Sequence, residues 1–375
     1  MDALPEDRAR AAPDLTTVAS CALRGPDATA LNIAVIIPYY QHLPGILLRA
    51  LQSVVAQRLP QGAGWHVVVI DDASPWPARH EVACLPMDVR GAVTILEQPN
   101  AGPGGARNSG LDWVVAQAGP DGVAARFDYV AFLDSDDTWA PDHLAEAVAA
   151  LEPGYDLYFC NHRRFEEPRS YFDCVPAVGL LLAPDASGIR VIDPEGPVVE
   201  IAPEALLTAQ LHAYLSHTST VVVRASRVVS RRFDPELRTA GEDHHYWIGL
   251  AADGCPAVVS ARSNVHCGRG VNVYFGALDW DSPRVVERVG HLLLFHHKIA
   301  RDFQFSPADR IFVRERVRHF ERGYSFLFVR ALLKGRVPSL GMLRRLSLGS
   351  PGLALQLPAR FLRVLTDRRA GSRLW

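Results

Sequence analysis

At 375 residues, with 48% hydrophobic and 21% charged residues, the chain is long enough to bury a substantial core and has the composition of an ordinary globular protein. Its net charge of −2 is unevenly spread: residues 301–375 carry 16 Lys and Arg against 5 Asp and Glu, a net +11, which leaves −13 for residues 1–300. An acidic body argues against nucleic acid as a partner, and no apolar run reaches the ~18 residues that span a bilayer.

The six cysteines (Cys21, Cys84, Cys160, Cys174, Cys255 and Cys267) form no CxxC pair, which favours reduced thiols in a cytoplasmic protein over a disulfide framework or a zinc site. MDALPEDRARAAPD at the start lacks the charged-then-apolar order of a signal peptide. Residues 1–31, rich in Ala, Pro, Asp and Arg without periodicity, read as a flexible extension.

IAVII (33–37) is the first buried strand, stopped by Pro38 and followed by Tyr39 and Tyr40. Residues 43–57 have helical spacing, with Ile46, Leu47, Ala50, Leu51 and Val54 on one face. WHVVVI (65–70) is the second strand and ends in Asp71 and Asp72; residues 93–96 make a third. NAGPGGARN (100–108) reads as a glycine-rich turn entering a helix, where backbone N–H groups and Arg107 offer an anion site. Its spacing is not that of a dinucleotide-binding GxGxxG.

RFDYVAFLDSDDTWAPDHL (126–144) is the centre of the chain: a buried strand that ends in Asp134, Ser135, Asp136 and Asp137. In an extended segment Asp134 and Asp136 point to the same side, and a hard cation such as Mg²⁺ or Mn²⁺ would offset their repulsion. A solvated turn capping the next helix is the plain alternative. Strands alternating with helices through the first half, with polar groups at three carboxyl ends, imply a largely parallel sheet and one shared crevice.

Residues 155–165 look like another strand, 173–202 a Pro-, Gly- and Asp-rich loop or hairpin, and 218–224 a further strand. FDPELRTAGEDHHYW (233–247) brings Glu242 and Asp243 to the mouth of a helix, and VHCGRGVN (265–272) is read as a turn carrying His266 and Arg269. From Pro283 onward the chain is helical and basic. Those basic helices have two open readings: a platform on anionic membrane, or a helical subdomain that closes over the sheet's crevice or pairs subunits into a homo-oligomer.

VIIPYY, VVVIDDAS, NAGPGGARNSG, YVAFLDSDDTWAPDHL, FDPELRTAGEDHHYW and VHCGRGVN, in this order over about 32–275, together resemble family 2 glycosyltransferases. The resemblance implies an α/β GT-A fold, a Rossmann-like, mostly parallel sheet flanked by helices, with a C-terminal helical extension. It divides the chain into a donor-binding half (32–150), an acceptor-binding half (151–282) and a basic helical region (283–375). It implies that Pro38 and Tyr39 line the base and ribose of a nucleotide sugar, that Asp72, with Asp71 beside it, bonds a base, commonly uracil, and that Arg107 lies near base or diphosphate. Asp136 is then the metal ligand, with Asp134 nearer the ribose and Ser135 between them; His266 approaches the metal or diphosphate. Asp243, with Glu242, matches the general base. The implied reaction is metal-dependent (Mn²⁺ or Mg²⁺), inverting transfer of a sugar from a UDP-sugar to a saccharide or lipid-linked saccharide, in polysaccharide or glycolipid synthesis. HCGRG departs from the commoner pattern around the histidine, and the lack of a QxxRW-like motif argues for transfer of a single sugar. A sugar-phosphate nucleotidyltransferase and an inactive nucleotide-sugar-binding module are the alternatives; PYYQHLPG after the first strand speaks against the former, and the intact acidic motifs against the latter.

Overall fold

A computed structural model of the chain describes residues 31–117, 126–164, 167–175, 178–179, 183, 186–269, 282 and 284–366. The expected N-terminal extension, apart from Leu31, and residues 270–272 of VHCGRGVN lie outside these.

Ten strands form one sheet: β1 (Asn32–Tyr39), β2 (Gly64–Asp71), β3 (Val93–Glu97), β4 (Tyr129–Phe132), β5 (Thr138–Trp139), β6 (Leu157–Arg164), β7 (Ile189–Asp193), β8 (Val198–Ile201), β9 (Val222–Arg224) and β10 (Ala257–Cys267). Their order is β3-β2-β1-β4-β9-β6-β10-β8-β7, with β5 paired to β10. The β3-β2-β1-β4 half is parallel throughout, and β9 runs antiparallel to both β4 and β6. The longer helices are α1 (Ile46–Val55), α2 (Gly102–Ala116), α3 (His143–Leu151), α4 (Pro203–His212), α5 (Glu242–Ala252), α6 (Arg284–Asp302), α7 (Pro307–Leu333), α8 (Leu340–Gly349) and α9 (Leu353–Thr366).

The near-continuous apolar strands are explained by helices on both faces. In β1, Ile33, Val35 and Ile37 pack with Leu47, Leu51 and Val54 of α1, whereas Ala34 and Ile36 pack with Leu111 and Val114 of α2. Successive side chains of a strand point to opposite faces, so both sets must be apolar. Each such fully buried aliphatic side chain contributes about 1.5–3 kcal/mol. Gly110 lets α2 settle on the sheet, since a Cβ there would stand 2.7 Å from Ile36 Cγ2. A third core, built from Leu293, Phe295, Phe320, Leu327 and Leu346 among others, belongs to the C-terminal helices. Lys298 of α6 fixes them to the sheet domain through Asp234 (2.6 Å) and Glu236 (2.5 Å).

Three expectations are corrected here. The glycine-rich stretch is largely helix, because α2 begins at Gly102 and takes in Pro103, Gly104 and Gly105. Thr218–Thr220 is a 3₁₀ turn, and only Val222–Arg224 is strand. His266 lies near the end of β10, not in a turn.

Candidate active site

Register brings the carboxyl ends of the parallel strands level: Tyr39 pairs with Asp71, Asp71 with Glu97, and Ile36 with Phe132. An open pocket at the ends of β2 and β3 is lined by Asp71, Ala73, Ser74, Pro77, Gln98 and Pro99. Ala73 holds a left-handed backbone (φ 58°), a strained conformation for a residue with a Cβ.

The two acids at the end of β2 are engaged within the protein, mostly by backbone N–H groups. Asp71 accepts from Ser74 N (2.7 Å) and Ala78 N (2.8 Å), one bond to each oxygen. Asp72 accepts from Gln98 Nε2 (2.8 Å), Ala101 N (2.7 Å) and Gly102 N (2.8 Å). The anion at the N-terminus of α2 is therefore the protein's own Asp72, which corrects the expectation of a phosphate cradle there. The glycines serve close approach: a Cβ on Gly104 would meet Glu242 Cγ at 3.2 Å and Phe233 Cβ at 3.3 Å.

The carboxylate turn is held from below by Ser219. Its hydroxyl donates to Asp137 Oδ2 (2.5 Å) and accepts from Asp134 N (3.0 Å), and its carbonyl accepts from Trp139 Nε1 (2.7 Å). Asp137 Oδ1 accepts from Gly268 N (2.8 Å), so the segment after β10 crosses directly over the turn. A Cβ on Gly268 would lie 1.7 Å from the Asp136 carbonyl oxygen. Burial and the neighbouring carboxylates of Asp136 and Asp134 push the Asp137 carboxyl well above its ordinary range. That is the signature of negative charge gathered without enough compensation, and the donor set is hard oxygen, as Mg²⁺ or Mn²⁺ requires. Ser135 is buried and accepts from Gln41 Nε2 (3.2 Å).

Arg107 joins this turn to the acidic pair of α5. It is 3% exposed and donates to Asp134 Oδ1 (2.7 Å) and Glu242 Oε1 (3.1 Å), with its guanidinium over the Phe233 ring. Burial opposes the charge of Asp134, but Arg107, followed by His217, holds its carboxyl below the usual range. Burial first, then Asp243, pushes Glu242 up to about 7 despite Arg107. Asp243 sits in the first turn of α5, where a helix N-terminus favours anions. It accepts from Tyr214 Oη and Thr218 Oγ1 (3.2 Å) on one oxygen and from its neighbour His244 N (2.7 Å) on the other.

Arg107 thus ties Asp134, and with it the turn that carries Ser135 and Asp136, to Glu242 and Asp243 at the mouth of α5. Three expectations shift. Arg107 pairs with protein carboxylates rather than standing open to a donor. Tyr39 is 1% exposed and packs with Ile37 and Leu47 in the core, because it shares the inner face of β1; Tyr40 is the exposed neighbour, and Pro38 is half-buried. His266 is exposed, since alternation along β10 turns Val265 and Cys267 inward instead. Cys267 Sγ stands 3.9 Å from His217 Nε2, and His217 Nδ1 lies 3.6 Å from Asp137. Asp137, His217 and Cys267 form the one metal-capable group of three found among the described residues. Asp137, bonded through one oxygen to Ser219 Oγ and through the other to Gly268 N, ties the 3₁₀ turn and the segment after β10 to the carboxylate turn. Tyr214, His217 and Ser219 escaped sequence reasoning. For His217 and Ser219 the signal was the polar run SHTST (216–220), set directly before the apolar VVV that leads into β9; Tyr214 lies outside it.

Sheet order, carboxylate turn and acidic pair are the framework of a GT-A glycosyltransferase, and this chain belongs to glycosyltransferase family 2. The model of the family, Glycosyl transferase family 2, matches residues 34–173. The succinoglycan biosynthesis protein ExoW of Rhizobium meliloti is 35% identical over 265 residues, covering 68% of this chain and 75% of that protein. ExoO, a second succinoglycan biosynthesis protein of that organism, is 39% identical over 102 residues, 27% of this chain and 25% of that protein. Among solved structures, residues 1–349 of S. aureus TarS align with a TM-score of 0.54 at 17% identity, covering 89% of this chain and 88% of that one, a likeness of fold. Family membership decides for a glycosyltransferase over a nucleotidyltransferase. No helix among the described residues is long and apolar enough to cross a membrane.

Proposed function

We propose that the chain moves one sugar from a UDP-sugar to a hydroxyl of a saccharide or lipid-linked saccharide acceptor, by metal-dependent inverting displacement in polysaccharide or glycolipid synthesis. The observation that carries this reading is the Arg107 bridge, which joins the carboxylate turn to the acidic pair of α5. The structures of TarS with UDP and with UDP-GlcNAc, and the succinoglycan names of the relatives, favour a nucleotide-sugar donor and a polysaccharide product.

In this reading the pocket beyond β2 and β3 takes the base, with Asp72 shaping its wall through the 98–102 segment. Asp136 and Asp134 would hold Mn²⁺ or Mg²⁺, which when bound neutralises the charge developing on the departing diphosphate. Asp243 accepts the acceptor hydroxyl's proton as that oxygen bonds to the anomeric carbon; the bond from this carbon to the phosphate oxygen breaks, and UDP leaves. Tyr214 and Thr218 aim the Asp243 carboxylate. Glu242 is a positioning residue, since its carboxylate is engaged by Arg107. A contact of the basic C-terminal helices with an anionic membrane at the cytoplasmic face belongs to the same proposal.

The test is binding and slow hydrolysis across a panel of nucleotide sugars with Mn²⁺, Mg²⁺ or EDTA. Metal-dependent turnover of one UDP-sugar supports the reading; no binding of any nucleotide sugar with either metal overturns it.

A further inference from the structure

Among the described residues, the C-terminal helices leave apolar side chains that no neighbouring element covers. In α8, Met342 and Leu346 face inward, while Leu340, Arg344 and Leu348, one helical turn apart, form the outer stripe; Leu340 is 64% and Leu348 81% exposed. In α9, Leu353, Leu357 and Val364 face inward, and Leu355 (88% exposed), Leu362 and Leu365 lie on the opposite side. The two stripes belong to one surface. Helices α6 and α7 pack together as a pair, α8 lies on α6, α9 lies on α7, and α8 touches α9, so the outer stripes of both turn away from the pair. Phe326 against Phe361, and Arg360 and Ser350 bonded to Glu321, fix this second layer. At the tip between α7 and α8, Leu333 and Val337 are exposed as well.

Charge identifies the occupant. Between residues 330 and 366 the chain has seven Lys and Arg and no Asp or Glu; Arg360 turns inward to Glu321 and Arg345 reaches Glu236, while Arg344 and Arg363 lie exposed among the outer leucines. A symmetric contact with a second copy would set this positive surface against itself, whereas leucines flanked by arginines match an anionic lipid leaflet, where side chains enter the acyl boundary and guanidinium groups meet headgroup phosphates. We propose that the outer face of α8 and α9, with the 333–337 tip, is the surface by which the enzyme lies on an anionic membrane. This inference rests on the membrane contact proposed above and assigns it a face.

Flotation of the full chain with phosphatidylcholine vesicles, with and without phosphatidylglycerol, tests it. The full chain is expected to float with anionic vesicles only, and less as salt rises. L355E/L362E, both at exposed positions that leave the core intact, is expected to lower the partition coefficient by about tenfold or more, with R344E/R363E acting in the same direction. Hydrolysis of the donor in solution should be unchanged by either variant, which separates a docking defect from misfolding or a damaged active site. Unchanged flotation of L355E/L362E would overturn the assigned face while leaving membrane contact standing. No flotation of the unmodified chain would sink both and leave the transfer reaction untouched. A concentration-dependent dimer in light scattering that L355E/L362E dissolves would assign the face to a second copy instead.

Discussion

Replacing Arg107 by Met tests whether its ion pairs hold the site together. The guanidinium is 3% exposed and satisfies Asp134 at 2.7 Å and Glu242 at 3.1 Å. Breaking a buried pair by removing one partner typically costs about 3–5 kcal/mol, because a charge is left uncompensated. Two features of the site lower that figure. The Asp134 side chain is 25% exposed, so water relieves part of its loss. Glu242, pushed up to about 7, can escape by taking a proton, at a cost that vanishes as pH falls below that value. We therefore expect Arg107→Met to lose about 3 kcal/mol at pH 8 and only about 1–2 kcal/mol at pH 5.5, where Glu242 is already largely neutral. Urea unfolding of both proteins at the two pH values reads this directly, provided the m-values agree. Equal losses at both pH values would refute the coupling to Glu242, and a loss under about 1 kcal/mol at pH 8 would refute the buried bridge itself. Arg107→Lys should fall between, since one ammonium cannot fork to two carboxylates.

Three further outcomes follow from the same geometry. Asp243→Asn should lower kcat by about 10²–10⁴ while leaving donor affinity unchanged, and near-normal turnover would remove it as the base. Gly268→Ala puts a Cβ within 1.7 Å of the Asp136 carbonyl, so the carboxylate turn must shift; turnover should fall by about 10² or more with little change in Tm, and unaltered kinetics would show that the 267–269 crossing is not seated as described. Glu242 binds its proton more tightly folded than unfolded, where its ordinary value is 4.5, so its contribution to stability is greatest below 4.5 and declines by roughly 3 kcal/mol as pH rises through 7. Glu242→Gln should accordingly flatten the fall of Tm between pH 5 and 7, and an unchanged slope would assign that fall to other groups.

Much of the donor half was legible from residues alone. Runs such as IAVII (33–37) and VVVI (67–70) are apolar at every position, a pattern stable only with helices on both faces, and the acids that end them must emerge at one edge of a parallel sheet. Asp134 and Asp136 were visible as carboxylates crowded at the end of a buried strand, whose mutual repulsion asks for a partner; they stand in a turn closed by Asp137 N and the Asp134 carbonyl (3.0 Å), however, not in the extended segment whose alternation would set them on one side. The helix-mouth acids Glu242 and Asp243 could be recognised as a pair, though nothing in their spacing told which one is engaged by Arg107 and which is held by Tyr214.

Tertiary structure decided what each polar group faces. Arg107 and Glu242 are 135 residues apart, and Ser219 and Asp137 82 apart; such contacts depend on how α2, α5 and the 3₁₀ turn dock, which no local period encodes. His266 and Cys267 show the same limit at the smallest scale. Both are adjacent in the chain, and alternation makes one of them face the carboxylate turn, but the register of β10 against β5 and β6 decides which. Likewise the basic, leucine-rich tail declared its charge in sequence, whereas the side of each helix left open to solvent was settled only when α8 and α9 packed on α6 and α7. Local periodicity fixes faces relative to a single element's own axis; contacts across the chain fix which of those faces meet.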